Sequence, residues 1–286
     1  MMDKDTFFQT KTTLNIGGKI LDLSKPKVMA ILNITPDSFF SGSRFSDEDE
    51  ILKQVSEFLK EGASIIDIGA YSSRPGAEDV AEDEELNRLI PVIKLLKTEF
   101  PDIVLSIDTF RGKVAEEAVK VGAHIINDIS GGELDKSMFE VIGRLGVPYI
   151  LMHMRGNPKT MSTLTDYNDL LMDVVSYFSE KINRLKALGV KDIILDPGFG
   201  FAKTAQQNYR LLKDMYNLKI FGLPVLAGLS RKTMIWKSLH VKPEEALNGT
   251  TVLNTLALQN GAVILRVHDV LEAKQCIDLI EIYNKS

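Results

Sequence analysis

Polar side chains with the chemistry of a binding site follow eight short apolar segments of the chain. These segments lead, in chain order, to Asn33, Asp67, Asp108, Asn127-Asp128, His153, Asp196, Ser230-Arg231-Lys232 and Arg266-Val267-His268. One aspartate at such a place is as compatible with a helix cap as with a ligand contact. Acids, amides and bases after all eight segments predict a functional site where the segment ends meet.

One group of these residues suits the edge of a flat heterocycle. Asp108, Asn127 and Asp196 are two acids and an amide. A buried carboxylate that accepts two hydrogen bonds from an amino-pyrimidine edge forms a strong, charge-assisted contact. This group therefore predicts recognition of a ring that carries N–H donors.

A second group suits an anion. Asn33, Arg266 and His268 combine an amide, a guanidinium and an imidazole, which together fit a phosphate or pyrophosphate. Residues 266 and 268 are two apart on a predicted strand and so share one face. Structural alternatives stay open, because Arg266 could form a salt bridge, His268 could cap the following helix, and Lys232 could be solvated.

The elements that position these residues are predicted by a repeated pattern. Near-continuous apolar strands indicate a parallel sheet buried on both faces. They are residues 28–32, 65–68, 103–107, 124–126, 148–152, 193–195, 224–227 and 262–265. Helical patterns lie between them, at 47–61, 111–121, 170–188 and 207–218, with a last one at 269–283. Several of these helices end at or before a glycine.

Eight such units favour an α/β fold, a (β/α)8 TIM barrel, over a doubly wound open sheet. Residues 14–24 predict an N-terminal β-hairpin that turns at Gly17-Gly18 and could plug the bottom of the barrel. No linker or low-complexity tract divides the chain, so residues 1–286 are expected to form a single domain. In a barrel of this type the active site lies at the carboxyl ends of the strands.

Composition and charge exclude several classes of protein and partner. The 286 residues are 44% hydrophobic and 26% charged, which excludes a disordered chain. The net charge of −5 argues against nucleic-acid and anionic-membrane partners, and no apolar run is long enough for a membrane helix. One cysteine, Cys276, excludes an internal disulfide, and the first residues carry acids where a signal peptide would carry bases. A cytoplasmic location is therefore expected.

The motifs together resemble the dihydropteroate synthase family of pterin-binding barrels. The resemblance runs from about residue 14 to the C-terminus. It includes NITPDSF (33–39), SRPGA (73–77), IDT (107–109), IND (126–128), MHMRG (152–156), LDPGFGF (195–201), SRK (230–232) and RVHD (266–269). The number and order of these motifs make the match specific.

The resemblance implies a transferase of folate biosynthesis and a sulfonamide target. It would join 6-hydroxymethyl-7,8-dihydropterin pyrophosphate to 4-aminobenzoate, with Mg²⁺, in a homodimer formed by helices near the C-terminus. The implied pterin ligands are Asp108, Asn127, Asp196 and Lys232. Asn33, Arg266 and His268 would hold the diphosphate, and Asn33 would lie near the metal. The implied 4-aminobenzoate site is Phe39, Ser73, Arg74, Pro75, Phe201 and Thr233.

The implied reaction is a dissociative substitution in which Asn33, Lys232, Arg266 and His268 assist loss of pyrophosphate. Two alternatives share the pterin site. A methyltetrahydrofolate:corrinoid methyltransferase would need neither the anion group nor the Ser-Arg-Pro-Gly loop. A non-catalytic pterin-binding paralogue is suggested by Ser41, where the family commonly carries an acid.

Overall fold

The barrel predicted from the sequence is present. The computed structural model describes residues 10–34, 44–71 and 80–286. Within these ranges, eight parallel strands form the barrel: β3 (Lys27–Asn33), β4 (Ala63–Gly69), β5 (Leu105–Asp108), β6 (Ile125–Asp128), β7 (Tyr149–Met152), β8 (Ile193–Asp196), β9 (Val225–Ala227) and β10 (Ala262–Val267). They close in the order β10-β3-β4-β5-β6-β7-β8-β9. The open-sheet alternative is wrong, because β10 pairs with both β9 and β3.

The helices surround the strands. They are α1 (Arg44–Lys60), α2 (Glu82–Glu99), α3 (Gly112–Lys120), α4 (Met138–Leu145), α5 (Leu170–Ala187), α6 (Ala205–Asp214), α7 (Thr233–Leu239), α8 (Leu247–Gln259) and α9 (Val270–Lys285). The helix predicted at 207–218 differs: α6 starts two residues earlier, because Thr204 and Gln207 form a capping box, and a 3₁₀ helix follows at Met215–Phe221. No helix in the described ranges is long and apolar enough to span a membrane.

The hairpin covers the bottom of the barrel, as predicted. Strands β1 (Thr13–Ile16) and β2 (Lys19–Asp22) pair antiparallel, and Gly17 and Gly18 adopt the left-handed φ values, +62° and +87°, that a two-residue turn requires. Leu14, Ile16 and Leu23 are buried in one cluster with an inward-facing layer of strand residues. That layer is Met29, Ile65, Ile125, Ile150, Ile194, Leu226 and Ile264.

The same alternation that forms this layer positions the polar residues. Side chains two residues apart on a strand lie on one face. The position two residues after Ile65, Ile125, Ile194 and Ile264 holds Asp67, Asn127, Asp196 and Arg266, respectively. These four side chains therefore point into the barrel directly above an apolar floor, toward the carboxyl ends of the strands.

Candidate active site

A buried network centred on Asp67 lies at the middle of the mouth. Asp67 is fully buried. Its Oδ2 accepts hydrogen bonds from Arg266 Nε at 2.6 Å and from Asn127 Nδ2 at 3.0 Å. Its Oδ1 accepts from Ser106 Oγ at 2.5 Å. Strands β4, β5, β6 and β10 are thus joined through one carboxylate.

Arg266 holds a second acid as well. Its Nη2 donates to Asp108 Oδ2 at 2.7 Å, so one guanidinium bridges two carboxylates. Burial raises the pKa of Asp108 to about 7, with Arg266 opposing this rise and Asp67 adding to it. Burial lowers the pKa of Arg266, but Asp67 and Asp108 outweigh it and raise that pKa above its ordinary value. The network therefore contains a permanent cation beside an acid whose pKa is raised by burial.

Asp196 lies close to the same cation. Its Oδ1 accepts from the backbone N–H of Gly198 at 2.7 Å. Burial raises the pKa of Asp196, while Lys232 and Arg266 pull it down. A buried carboxylate with this balance of charges is suited to accept N–H donors from a ligand.

Lys232 lies beside the loop that follows β8. Its Nζ donates to the carbonyl oxygen of Phe199 and lies 4.5 Å from the centroid of the Phe201 ring. Burial lowers the pKa of Lys232 to about 8, and Asp196 opposes this shift. The solvated lysine considered from the sequence is therefore excluded, since Lys232 is half-buried and partnered. Thr233 is exposed at the first position of α7.

Asn33 and His268 lie at the rim. Asn33 ends β3 and is half-buried. Asn33 and Asp108 both border Gly69: a Cβ added to Gly69 would lie 3.7 Å from Asn33 Oδ1 and 3.6 Å from Asp108 Cβ. His268 follows β10 and is exposed, with Nδ1 2.9 Å from Ser230 Oγ. Asn33 thus lies near Asp108, and His268 near the β9 end.

The structure adds acid partners to one residue of the anion group. The sequence groups Arg266 with Asn33 and His268, and in the structure its Nε and Nη2 face Asp67 and Asp108. Arg266 points into the barrel one layer below His268, and from there its long side chain reaches the acids on β4 and β5. The salt bridge considered as an alternative for Arg266 is present.

The structure gives Asp67 a central role that its place at a strand end does not reveal. It bonds three other residues of the site. A signal was available, because Asp67 is the one charged residue of the otherwise apolar or small β4 segment Ala63–Gly69. Four residues expected to form the arylamine site lie outside the described residues: Phe39, Ser73, Arg74 and Pro75.

No group of three or more histidine, cysteine or acidic side chains is arranged to hold a metal among the described residues. A protein-only metal cage is thus not found in residues 10–34, 44–71 and 80–286.

Comparisons with known proteins agree with this geometry. The family model for pterin binding enzymes matches residues 29–268. The chain is 43% identical to the dihydropteroate synthase of Clostridium beijerinckii over 94% of this chain and 98% of that protein. It resembles the crystal structure of the Yersinia pestis dihydropteroate synthase with a sulfonamide drug, at 41% identity and a TM-score of 0.89, over 96% of this chain and 100% of that one.

The Xanthomonas albilineans dihydropteroate synthase, solved with 4-aminobenzoic acid, also matches. It is 36% identical, with a TM-score of 0.89, over 97% of this chain and 100% of that chain. The match to the pterin binding enzymes runs from residue 29 to residue 268 and therefore includes every strand end that carries a residue of the candidate site.

Proposed function

The chain belongs to the dihydropteroate synthase family of pterin-binding enzymes, and from this premise we propose that it condenses 6-hydroxymethyl-7,8-dihydropterin pyrophosphate with 4-aminobenzoate. The products are 7,8-dihydropteroate and pyrophosphate, which makes it a transferase of folate biosynthesis. The observation that carries the proposal is the convergence of Asp108 and Asp196 on the Arg266 guanidinium, with Asn127 joined to it through Asp67, above an apolar floor.

These residues suit a pterin ring. Asp196 and Asp108 present carboxylate oxygens to the ring's N–H donors, while Asn127 is held in place by Asp67. Burial has already weakened the hydration of both acids, so a ligand N–H replaces little water. Lys232 contributes a positive charge beside Asp196.

The diphosphate would lie on the basic side of the mouth. Nε and Nη2 of Arg266 face the two acids in the described residues, so its Nη1 edge is the one offered to a phosphate oxygen. His268 is exposed at the rim and Asn33 lies across Gly69 from Asp108. Arg266 and His268 then stabilise the charge that builds up on the departing pyrophosphate.

The chemistry is a dissociative substitution. The bond between the pterin methylene carbon and the diphosphate oxygen breaks, and the electron pair leaves with pyrophosphate. The electron-rich pterin ring stabilises the resulting cation, and the amine nitrogen of 4-aminobenzoate attacks it and then loses a proton. No covalent enzyme intermediate and no strong general base are required, because the arylamine nitrogen becomes acidic once it bonds to carbon.

Mg²⁺ is the metal that suits this site. The side-chain oxygen of Asn33 is a hard donor near Asp108, and Mg²⁺ is commonly held by one or two protein oxygens together with substrate phosphates. Asn33 would hold the ion. When bound, the ion would neutralise charge on the diphosphate.

A homodimer is supported by the outer surface of the last two helices. A groove of about 380 Å³ lies between α8 and α9, and Leu279, Ile282 and Tyr283 are each about two-thirds exposed on α9. Apolar side chains grouped in this way are typical of an interaction surface. The cytoplasmic location stays a prediction; the free, buried thiol of Cys276 is in keeping with it.

The direct test is turnover. Purified protein with Mg²⁺, the pterin pyrophosphate and 4-aminobenzoate should release pyrophosphate and form dihydropteroate in equal amounts. Leaving out 4-aminobenzoate measures capture of the cation by water, and a sulfonamide should compete with 4-aminobenzoate. Tight pterin binding without turnover would favour the non-catalytic paralogue, and absence of pterin binding would contradict the site itself.

A further inference from the structure

A buried lysine that the proposed reaction does not use lies under the loop after β8. We call residues 196–201 the Asp196 loop. Lys203 is buried, and its Nζ lies 3.0 Å from Nδ1 of His153, 3.0 Å from the carbonyl oxygen of Gly198 and 3.0 Å from that of Phe201. The carbonyl oxygen of His153 is a fourth acceptor at 3.5 Å, so every donor of the ammonium group has a partner.

His153 is a suitable acceptor in this cluster. It is buried after β7, and its ring packs edge-on against Tyr177 with centroids 4.9 Å apart. Burial, followed by the charge of Lys203, holds the pKa of His153 well below its usual range, so the imidazole is neutral, and the tautomer with its proton on Nε2 lets Nδ1 accept from Lys203. Burial also lowers the pKa of Lys203 to about 7, and the charge of Asp196 opposes that shift.

The Asp196 loop has a backbone that needs such support. Gly198 and Gly200 have φ values of +69° and +81°, and Ala202, just after the loop, has +50°. A Cβ on Gly198 would come within 2.0 Å of the carbonyl oxygen of His153, so the loop lies directly on the β7 end. A left-handed conformation at a residue other than glycine is unfavourable and persists only when its surroundings hold it.

This loop carries groups of both substrate sites. Asp196 is the proposed pterin acid, the carbonyl of Phe199 accepts from Lys232, and the ring of Phe201 lies against Lys232. Asn208 on α6 supports the loop from the other side, with Oδ1 accepting from Gly200 N–H at 2.8 Å. The backbone N–H of His153 donates to the carbonyl of Asp196 at 2.9 Å, and Lys203 adds a side-chain link from His153 to the carbonyls of Gly198 and Phe201.

We propose that Lys203 is a positioning residue: by joining His153 to the carbonyls of Gly198 and Phe201, it fixes the Asp196 loop so that Asp196 and Phe201 are aligned for pterin and arylamine. The inference rests on the proposed function and adds a residue that touches neither substrate. Without the ammonium group, two buried carbonyls lose a donor and the loop shifts to recover one. A shift of about 1 Å in positioning groups can cost about a hundredfold in rate.

The test compares two buried lysines. Lys203→Met removes the hydrogen-bond donors but keeps a side chain of similar length. Lys181→Met is the matched control. Lys181 on α5 is also buried, and it donates to the backbone carbonyl of Gly131 at 2.9 Å. We expect Lys203→Met to raise KM for both substrates at least about tenfold, and to weaken binding of free pterin. Lys181→Met should lower the unfolding temperature but keep both KM values within about twofold of wild type.

The outcomes separate the inference from the proposed function. Turnover by the wild-type protein tests the proposed function. The positioning role of Lys203 is tested by the ratio of variant to wild-type pterin affinity, which direct titration measures even if there is no turnover. Unchanged KM values and pterin affinity in Lys203→Met, or equal changes in Lys181→Met, would overturn the inference. If Lys203→Met does not fold, Lys203→Gln, which keeps two donors, should fold with an intermediate loss of pterin affinity. If neither folds, Lys203 supports the whole barrel and the inference fails.

Discussion

Arg266 Nε lies 2.6 Å from Asp67 Oδ2, although 199 positions separate the two residues in the chain. The contact lies beneath the mouth of the barrel and connects β10 to β4, which is two strands away in the barrel. The same guanidinium also holds Asp108, so two acids of the site share one arginine. The site is thus organised before any ligand arrives, which is the condition for electrostatic stabilisation without reorganisation.

Replacing Asp67 by asparagine should lower both stability and activity. Arg266 would keep one carboxylate partner, and breaking a buried pair from one side typically costs about 3 kcal/mol. Urea denaturation measures that loss, and steady-state kinetics should show kcat/KM reduced by about tenfold or more. Asp102→Asn serves as the control: its ion pair with Lys19 is exposed on both sides, so no measurable change is expected. Wild-type stability in Asp67→Asn would contradict a central role for this pair.

Asp196→Asn should separate binding from folding. The variant removes a charged acceptor, so pterin affinity should fall about tenfold or more. Because burial raises the pKa of Asp196, the neutral amide should leave the free energy of unfolding at pH 7 unchanged or raise it. Isothermal titration calorimetry and urea denaturation measure the two effects.

Asp128→Asn is the matched control for that experiment. Asp128 is also buried at a strand end, but its Oδ2 accepts from Tyr149 Oη at 2.7 Å and from Gly132 N–H at 2.8 Å. In the variant, an N–H donor replaces a carboxylate oxygen that accepts hydrogen bonds. The variant should therefore be less stable, and its folded fraction should keep its pterin affinity. Equal losses of pterin affinity in the two variants would place the ring elsewhere.

His124 should make stability depend on pH. It lies at the bottom of the barrel, where Nδ1 accepts from the backbone N–H of Leu105 at 3.1 Å. Burial, with help from Lys97 and Lys19, lowers its pKa to about 4. The unfolded chain therefore binds a proton that the folded chain does not between about pH 6.5 and 4, and the contribution of His124 to stability falls as the pH is lowered through that window.

A His124→Gln variant isolates this effect, because glutamine offers an acceptor that does not titrate. Relative to the variant, the wild type should lose about 1–2 kcal/mol of unfolding free energy from pH 7 to pH 4, a figure reduced for the partial exposure of the ring. Urea denaturation across this range measures the difference. Parallel curves for the two proteins would show that His124 titrates normally.

The proposed dimer surface predicts a change in mass. Leu279→Asp places a charge on α9 at the centre of the exposed apolar group, so it should shift the protein from twice 31.9 kDa toward 31.9 kDa in sedimentation velocity. Ile20→Asp is the control, since Ile20 is also exposed but lies on the hairpin at the other end of the chain. Dissociation by both variants, or by neither, would contradict the assignment to α8 and α9.

Much of this architecture is encoded locally. Each apolar strand segment and each helix that ends near a glycine can be recognised from neighbouring residues, and eight repeats leave few ways to bury both faces of a sheet. The alternation that puts Ile65 and Asp67 on one face is also local, since it follows from the pleat of a strand. The fold class and the set of inward polar residues were therefore accessible from the sequence.

The partners of those residues were decided by the tertiary structure. Whether Arg266 turns toward Asn33 and His268 or toward Asp67 and Asp108 depends on how far its side chain reaches across the closed barrel and on which charges burial leaves unbalanced there. Lys203 is likewise an ordinary lysine in the sequence, and only the approach of the β7 and β8 ends surrounds it with four acceptors. Strand periodicity is a property of adjacent residues, whereas the pairing of buried charges depends on distances that exist only after the barrel closes.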